Sequence, residues 1–306
     1  PLTATTLSKW VCGNAEGLIP SILIANKKPI IVAPAMNVNM WKNDFVEKNY
    51  KILKNLDNIL VINPSEGLLA CDQFGIGKLP SNDLIILALK FIISQKGNFH
   101  FKDLVNKTFL ITGGATIEDV DPARKITNNS SGMMSLLLAQ VANFRGAKVK
   151  YIHGNLELSC NLLDGIDSQK IRNGNELNEL IKKEVFNYDY FLMNAAVTDI
   201  RFKQSIQSKI PKNNLHKHFS NHMELVPDIL SEINKIKKSN QVFIGFCAYT
   251  GNLKDLRLII KDKFNIKGCD FIFANPIDLE GQGFGLYSEN EGWLFSSNGT
   301  EKHLEK

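Results

Sequence analysis

The stretch Thr108-Phe109-Leu110-Ile111-Thr112-Gly113-Gly114-Ala115-Thr116 sets a short apolar run directly against two glycines. An unbroken apolar run of this length reads as a strand buried on both faces, as in a parallel sheet, and the glycines read as the turn that ends it. Downstream, Ser131 to Arg145 carries a helix pattern, with Ser130 or Ser131 as N-cap and Gly146 as its stop. Lys148 to Ile152 then gives the next strand, so a βαβ unit opens here. Further strands are predicted at Tyr190–Met193, Val242–Phe246 and Phe271–Ala274, with Gly292–Ser296 as a late edge strand. The fold class is α/β.

Toward the N-terminus, Lys28–Pro34 and Asn58–Asn63 repeat the buried-strand pattern around a polar, helix-compatible stretch, and Leu84–Ile93 is long enough for a closing helix. Ser94-Gln95-Lys96-Gly97-Asn98 is the candidate linker, dividing residues 1–97 from 98–306. A chain of 306 residues exceeds what one ordinary core supports, so two domains are expected. Hydrophobic content of 44% with 22% charged residues is that of a globular protein, and no apolar run is long enough to span a bilayer. The first residues carry no charged signal-peptide region and no initiator Met, so the chain is expected to start inside a longer protein or after processing. Cys12, Cys71, Cys160, Cys247 and Cys269 are scattered, odd in number and never spaced Cys-x-x-Cys, which argues against a disulfide framework or zinc site and for a cytoplasmic setting. The net charge of +5, with no basic stripe interleaved with aromatics, points to small anionic ligands rather than nucleic acid.

Glycines between a strand and a helix can let backbone N–H groups approach phosphate. Here they form neither Gly-x-Gly-x-x-Gly nor Gly-Lys-Ser/Thr, so an ordinary strand-ending turn explains them equally well. The connection that follows, up to the helix, reads as structureless. It is dense in Glu118, Asp119, Asp121, Arg124, Asn128, Asn129, Ser130 and Ser131, and a connection this long is more often a substrate loop than filler.

Ile111 through Arg124, continued by Lys125-Ile126-Thr127-Asn128-Asn129-Ser130-Ser131-Gly132, resembles the opening signature of phosphopantothenate–cysteine ligases. Ala195-Ala196-Val197-Thr198-Asp199, Lys209-Ile210-Pro211-Lys212, Gly245-Phe246-Cys247-Ala248, Lys263–Asp270 and Ala274-Asn275 follow in that family's order. Upstream, Pro34-Ala35-Met36-Asn37, Gly67-Leu68-Leu69-Ala70-Cys71 and Gly75-Ile76-Gly77 resemble the flavin-dependent phosphopantothenoylcysteine decarboxylases, commonly fused ahead of the ligase. The resemblance implies a C-terminal Rossmann-like ligase domain preceded by the C-terminal part of a flavodoxin-like flavoprotein domain. It implies FMN for the first part, and for the second CTP with Mg2+, 4'-phosphopantothenate and cysteine. It also implies a homo-oligomer, with ligase dimers joined to larger decarboxylase assemblies.

In that family the substrate carboxylate is first joined to the nucleotide α-phosphate, and cysteine's amine then attacks the acyl-nucleotide. By the resemblance, Lys209, Lys263 and Lys267 hold the triphosphate as point charges, the last two one helical turn apart. Without it they would read as solvated lysines. Asp199 with the turn Met193-Asn194-Ala195 resembles the positions that hold base and ribose, and Pro227-Asp228-Ile229-Leu230 and Phe246 correspond to further nucleotide contacts. Phe246 also reads as core packing. Asn128 suits the second half-reaction, because an amide can donate to an acyl oxygen and accept from an amine. Arg124 suits a planar fork on substrate phosphate or carboxylate. Alternatively, Asn128 caps a turn and Arg124 pairs with Asp121. In the upstream part, Asn37 would orient substrate near the flavin, and Cys71 matches the family's proton donor on a flap or is a buried small residue.

The pattern also departs from the family. Thr5 stands for an asparagine, Asp72 for a glycine, Lys78 for an arginine, Met133 and Ser135 for a lysine and a glycine, and Tyr249 for an acidic residue. Pro211 interrupts a lysine run. No histidine precedes His100, so the family's upstream histidine has no counterpart and decarboxylation is not expected of the chain by itself. Two rival readings stay open. A nicotinamide-dependent reductase would end its second strand in an acidic residue, whereas Ile152-His153-Gly154 stands there. A non-catalytic flavoprotein-like regulatory subunit would have no need of Lys209, Asn128 and Cys71 together.

Overall fold

A computed structural model describes residues 1–70, 72–97, 100–157, 162–204, 206–250, 259–260, 262–264, 266–276, 285–288 and 292–296, with 275–276, 285–286 and 292–296 by backbone alone. Cys71, Asn98 and Cys160 lie outside the described residues. The chain forms two compact units. One comprises Pro1–Asn106, Leu136–Lys148 and Ser159–Asp167; the other comprises Lys107–Ser135, Val149–Leu158 and Ser168–Lys306.

In the first unit, Ile30–Val32 pairs in parallel with Ile59–Val61. The helix between them, Asp44–Lys54, is capped by the Asn43 side chain, carries Asp44 and Glu47 in its first turn and Lys51 and Lys54 in its last, and buries Tyr50 and Leu53. That charge order suits the helix dipole. Leu2, Leu7, Val32, Tyr50, Leu53 and Ile59 form one core cluster. A second gathers Leu60, Ile62, Leu84, Ala88, Phe91, Phe101 and Phe144 around the helix Asn82–Ser94, which the Ser81 hydroxyl caps. An antiparallel hairpin, Ser65–Leu68 with Phe74–Lys78, completes the unit.

The second unit is built on an eight-stranded sheet. Its order is 292–296, 285–288, 271–276, 242–249, 190–193, 108–113, 148–153, 167–170. The four strands from 271–276 to 108–113 run parallel, and the two C-terminal strands are antiparallel, with Gly292–Ser296 at the edge. The chain enters at 108–113, places 148–153 on one side and returns to place 190–193 on the other. Those two directions meet at a topological switch point, where open α/β sheets leave a crevice beyond the strands' carboxyl ends. The core around Leu110, Phe191, Phe243 and Ile272 fills one face with helix Gly174–Glu184 and helix Ile229–Asn234.

One expectation is corrected. The connection between the glycine loop and the helix Met133–Phe144 is not structureless: Ile117–Asp121 pairs antiparallel with Arg124–Thr127 as a two-stranded ribbon.

Gly113 has no room for a side chain. A Cβ there would lie 1.9 Å from Ser135 Oγ, 2.5 Å from Ser135 Cβ and 2.5 Å from the Tyr151 hydroxyl. Gly113→Ala is therefore expected to destabilise the second unit by about 1–3 kcal/mol, the usual cost of overpacking. Adding Ser135→Gly should recover only part, because the tyrosine remains. Thermal unfolding measures both, and an unchanged midpoint for Gly113→Ala would contradict the packing described.

Candidate functional site

The crevice at the switch point holds a cavity of about 180 Å³ lined by Met193, Ala195, Val197, Thr198, Asp199, Val226, Pro227, Asp228, Ile229, Leu230, Phe246 and Lys267. Met193 ends its strand in register with Thr112 on one side and Gly245 on the other, which puts Phe246 one residue beyond that row. Phe246 packs against Phe273 with ring centroids 5.2 Å apart and also lines the cavity. Pro227–Leu230 is the entry to helix Ile229–Asn234. Asp228 Oδ1 accepts from Ser231 N–H at 3.1 Å, and its Oδ2 lies 3.4 Å from Lys267 Nζ.

Two threonine hydroxyls shape the wall. Thr112, fully buried, accepts from the backbone N–H groups of Asn194 and Ala195, each at 3.2 Å. Thr116, also fully buried, accepts from Thr198 N–H at 3.1 Å. Backbone bonds run beside them: Thr116 N–H donates to the Ala196 carbonyl at 3.1 Å, and Ala196 N–H to the Gly114 carbonyl at 2.9 Å. On the other side Ala115 N–H donates to the Asn155 carbonyl at 3.0 Å. Ala115 and Thr116 of the glycine loop thus give their N–H groups to protein backbone. A Cβ on Gly114 would sit 2.5 Å from the Asn155 carbonyl oxygen. Close packing, against side chains at Gly113 and against the Asn155 backbone at Gly114, accounts for these glycines, and the loop braces the cavity wall.

Of the residues singled out from sequence, Met193, Ala195, Asp199, Pro227, Asp228, Ile229, Leu230, Phe246 and Lys267 line this one cavity. Asn194 is held in the same turn. Asn128, exposed, donates from Nδ2 to the Val197 carbonyl at 2.9 Å and so sits against the wall. Lys209 is exposed and Lys263 half-buried, and neither is among the lining residues. Val226 lines the cavity without having been singled out, and Val197 and Thr198, quoted within the Ala195–Asp199 block, line it without having been given a role. Small and apolar residues carry no chemical signal in sequence. Two buried polar atoms here, Asn194 Nδ2 and Thr198 Oγ1, have no hydrogen-bond partner among the described residues. Buried polar groups are rarely left so without a ligand or water to satisfy them.

Arg124 is engaged by the ribbon. Its NH1 donates to Asp121 Oδ2 at 2.6 Å and to the Ile210 carbonyl at 3.1 Å. The Asp121 side chain is fully buried and also accepts from Ala123 N–H at 2.8 Å and Ile210 N–H at 3.1 Å. Burial pushes this carboxyl up, but those N–H donors and the guanidinium outweigh it and hold it below the usual carboxylate range. The Asp121 pairing read for Arg124 is present, with NH1 committed to protein.

In the first unit, Asn37 belongs to a cavity of about 440 Å³ with Ala35, Met36, Leu68, Leu69, Ala70, Gly77, Lys78 and Leu79. Asn37 also caps the turn Val38–Trp41 and donates from Nδ2 to Gln73 at 3.1 Å. Cys71, expected on a flap, falls between the two hairpin strands and outside the described residues.

Residues 1–94 match the family model described as Flavoprotein, and residues 104–306 match the model of the DNA/pantothenate metabolism flavoprotein C-terminal domain. The coenzyme A biosynthesis bifunctional protein CoaBC of Borreliella burgdorferi is 36% identical over 284 residues, 92% of this chain and 69% of the relative. The protein of the same name in Mycobacterium tuberculosis H37Rv is 30% identical, over 100% of this chain and 73% of the relative. A crystal structure of the C-terminal domain of a coenzyme A biosynthesis bifunctional protein CoaBC superposes with a TM-score of 0.52 at 28% identity, covering 64% of this chain and 87% of that one. The class these matches define is a flavoprotein domain followed by a Rossmann-like α/β domain. The chain belongs to the CoaBC family of bifunctional coenzyme A biosynthesis enzymes, which combine phosphopantothenoylcysteine decarboxylase with phosphopantothenate–cysteine ligase. No helix among the described residues is long and apolar enough to cross a membrane.

The brace is testable without any assay of activity. Thr112→Val keeps the shape but leaves two part-buried N–H groups without their acceptor, and should cost about 1–3 kcal/mol in a urea titration. An unchanged midpoint would mean that the turn does not depend on this hydroxyl.

Proposed function

We propose that residues 98–306 ligate 4'-phosphopantothenate and cysteine at the expense of CTP, through an acyl-nucleotide intermediate. The observation that carries this is the convergence of the Met193–Ala195 turn, Asp199, Pro227–Leu230, Phe246 and Lys267 on one cavity at the switch point. At about 180 Å³ the cavity is smaller than the roughly 300–1,000 Å³ of a drug-sized ligand site. It suits the base and ribose, with the phosphates outside it. Asn194 Nδ2 and Thr198 Oγ1, unpartnered and buried, are the groups a polar base edge or ribose would satisfy.

The triphosphate would pass Lys267. Its pairing with Asp228, at 3.4 Å and part-exposed, is loose enough for a polyanion to displace. Lys209 and Lys263 then serve as cations outside the cavity, able to steady the departing pyrophosphate. In activation, a carboxylate oxygen of phosphopantothenate bonds to the α-phosphorus and the bond to pyrophosphate breaks. In the second step the cysteine amine bonds to the acyl carbon, the bond to the nucleotide monophosphate breaks, and the amine proton is lost. Asn128, whose Nδ2 also donates to the Val197 carbonyl, would steady the acyl oxygen with its second amide hydrogen as charge builds on it. Among the described residues no three carboxylate, imidazole or thiol groups gather as a metal site. Mg2+ would accordingly arrive with the nucleotide, mostly on phosphate oxygens and water.

For the first part we propose a share in an FMN-dependent decarboxylase, with no decarboxylation assigned to residues 1–97 by themselves, since no histidine precedes His100. The Asn37 cavity is mostly apolar, and Gly77, whose Cβ would lie 2.3 Å from the Met36 carbonyl oxygen, keeps the strand close to its wall. The full protein is read as a homo-oligomer, as in the family's fused enzymes.

Pyrophosphate release from CTP with phosphopantothenate and cysteine tests the ligase reading, and no release from any nucleoside triphosphate would end it. Lys209→Ala is expected to slow activation by about a hundredfold, the scale of removing one charge-stabilising group. Asn128→Ala should release pyrophosphate normally and accumulate acyl-nucleotide; unchanged turnover would refute its role.

A further inference from the structure

Ile210 is the point of interest, because it follows the proposed phosphate lysine. Its side chain is buried in a small cluster with Val120 and Phe202. Its backbone is gripped at both polar groups, with the N–H donating to Asp121 Oδ2 and the carbonyl accepting from Arg124 NH1. Asp121 and Arg124 are themselves joined at 2.6 Å, so acid, base and Ile210 backbone close a ring. Next in line, Pro211 fixes its own φ at −59° and heads the short 3-10 turn Lys212–Asn214. The segment is held to the two-stranded ribbon, far away in sequence, at Ile206, whose N–H donates to the Val120 carbonyl at 3.1 Å, and at Ile210, whose N–H and carbonyl are both gripped.

We infer that the buried Asp121–Arg124 pair is a positioning device that sets the height of Lys209 over the nucleotide phosphates, so that Asp121 is a positioning residue for the activation half-reaction. The inference rests on the ligase reading and on Lys209 being its phosphate cation. Nothing else about a buried, fully engaged carboxylate on a surface ribbon requires it to reach across to the Lys209 segment. A turn could be closed by the Ala123 N–H bond alone, made at 2.8 Å. An ammonium on a flexible stem gains most when its backbone is fixed, since small misplacements near a reacting centre cost large factors in rate.

The test uses the full chain and separates the half-reactions by rapid quench. Asp121→Asn keeps the shape and one acceptor oxygen but removes the charge opposite Arg124. It should slow the pyrophosphate burst about tenfold or more and raise the KM for CTP, while the attack of cysteine on the acyl-nucleotide stays within about twofold. Asp121→Asn combined with Lys209→Ala should be no slower than Lys209→Ala alone, because the device acts only through that lysine. A purely structural role would lower both half-reactions together with the folded fraction, and that result overturns the inference. If Asp121→Asn does not fold, Arg124→Gln, at a part-exposed site, releases the Ile210 carbonyl and should give the same split; loss confined to the cysteine step would overturn it instead. The two levels fail differently. Loss of activation in Lys209→Ala with a normal burst in Asp121→Asn sinks the positioning role alone, whereas a normal burst in Lys209→Ala sinks the ligase assignment of that lysine and the positioning role with it.

Discussion

The Thr112 hydroxyl, buried at the end of the first parallel strand of the second unit, holds two consecutive backbone N–H groups of the neighbouring strand's exit turn. Those part-buried N–H groups would otherwise lack this acceptor, and leaving a donor unsatisfied costs more than a hydrogen bond's usual net value. The turn therefore has one way to leave the sheet. Thr116 repeats the arrangement one loop further on, at Thr198. Between these two points the chain from Met193 to Thr198 is stitched to the glycine loop, and the cavity is the space this stitching leaves in front of the strand ends.

That construction explains why the glycines are where they are. Gly113 and Gly114 let two backbone segments and a helix approach within distances a Cβ would forbid. They stiffen the rear of the site, and the ligand-facing wall is supplied by the turn they support. The ribbon Ile117–Thr127 performs a second support task. Its buried Glu118 accepts from Gly174 N–H at 2.8 Å at the start of a helix, and its buried Asp121 reaches the Lys209 segment. Glu118, Asp119 and Asp121 in this ribbon are structural anchors with partners on distant parts of the chain, and Asp121 also pairs with Arg124 within it.

Much of the sheet was legible in the sequence because apolar runs mark strands buried on both faces. Tyr190–Met193 and Gly292–Ser296 fall where the pattern placed them, and the helix after the glycine loop ends just short of Gly146. The ribbon was not legible. Glu118, Asp119, Asp121 and Arg124 read as loop chemistry, since burial of a charge depends on backbone donors that local sequence does not reveal. The same limit applies to the edge strand Asp167–Lys170, whose four residues are all exposed and carry no alternation to read. Within the candidate site, motif order brought together residues from four separate segments. It could not rank the lysines: Lys267 borders the cavity while Lys263, one turn earlier, does not, and helical spacing alone cannot say which of two neighbours faces a crevice. Thr112 and Thr116 lie inside the quoted signature, yet their task is hydrogen bonding to a partner strand, and only the fold supplies that partner.

The central claim is that a nucleotide sits in front of the braced turn. Amide hydrogen exchange of the full chain, with and without CTP and Mg2+, addresses it most directly. The account predicts added protection confined to residues 193–199 and 226–230, with the already braced Gly113–Thr116 loop unchanged. Protection appearing at the glycine loop while 193–199 and 226–230 exchange as before would contradict it.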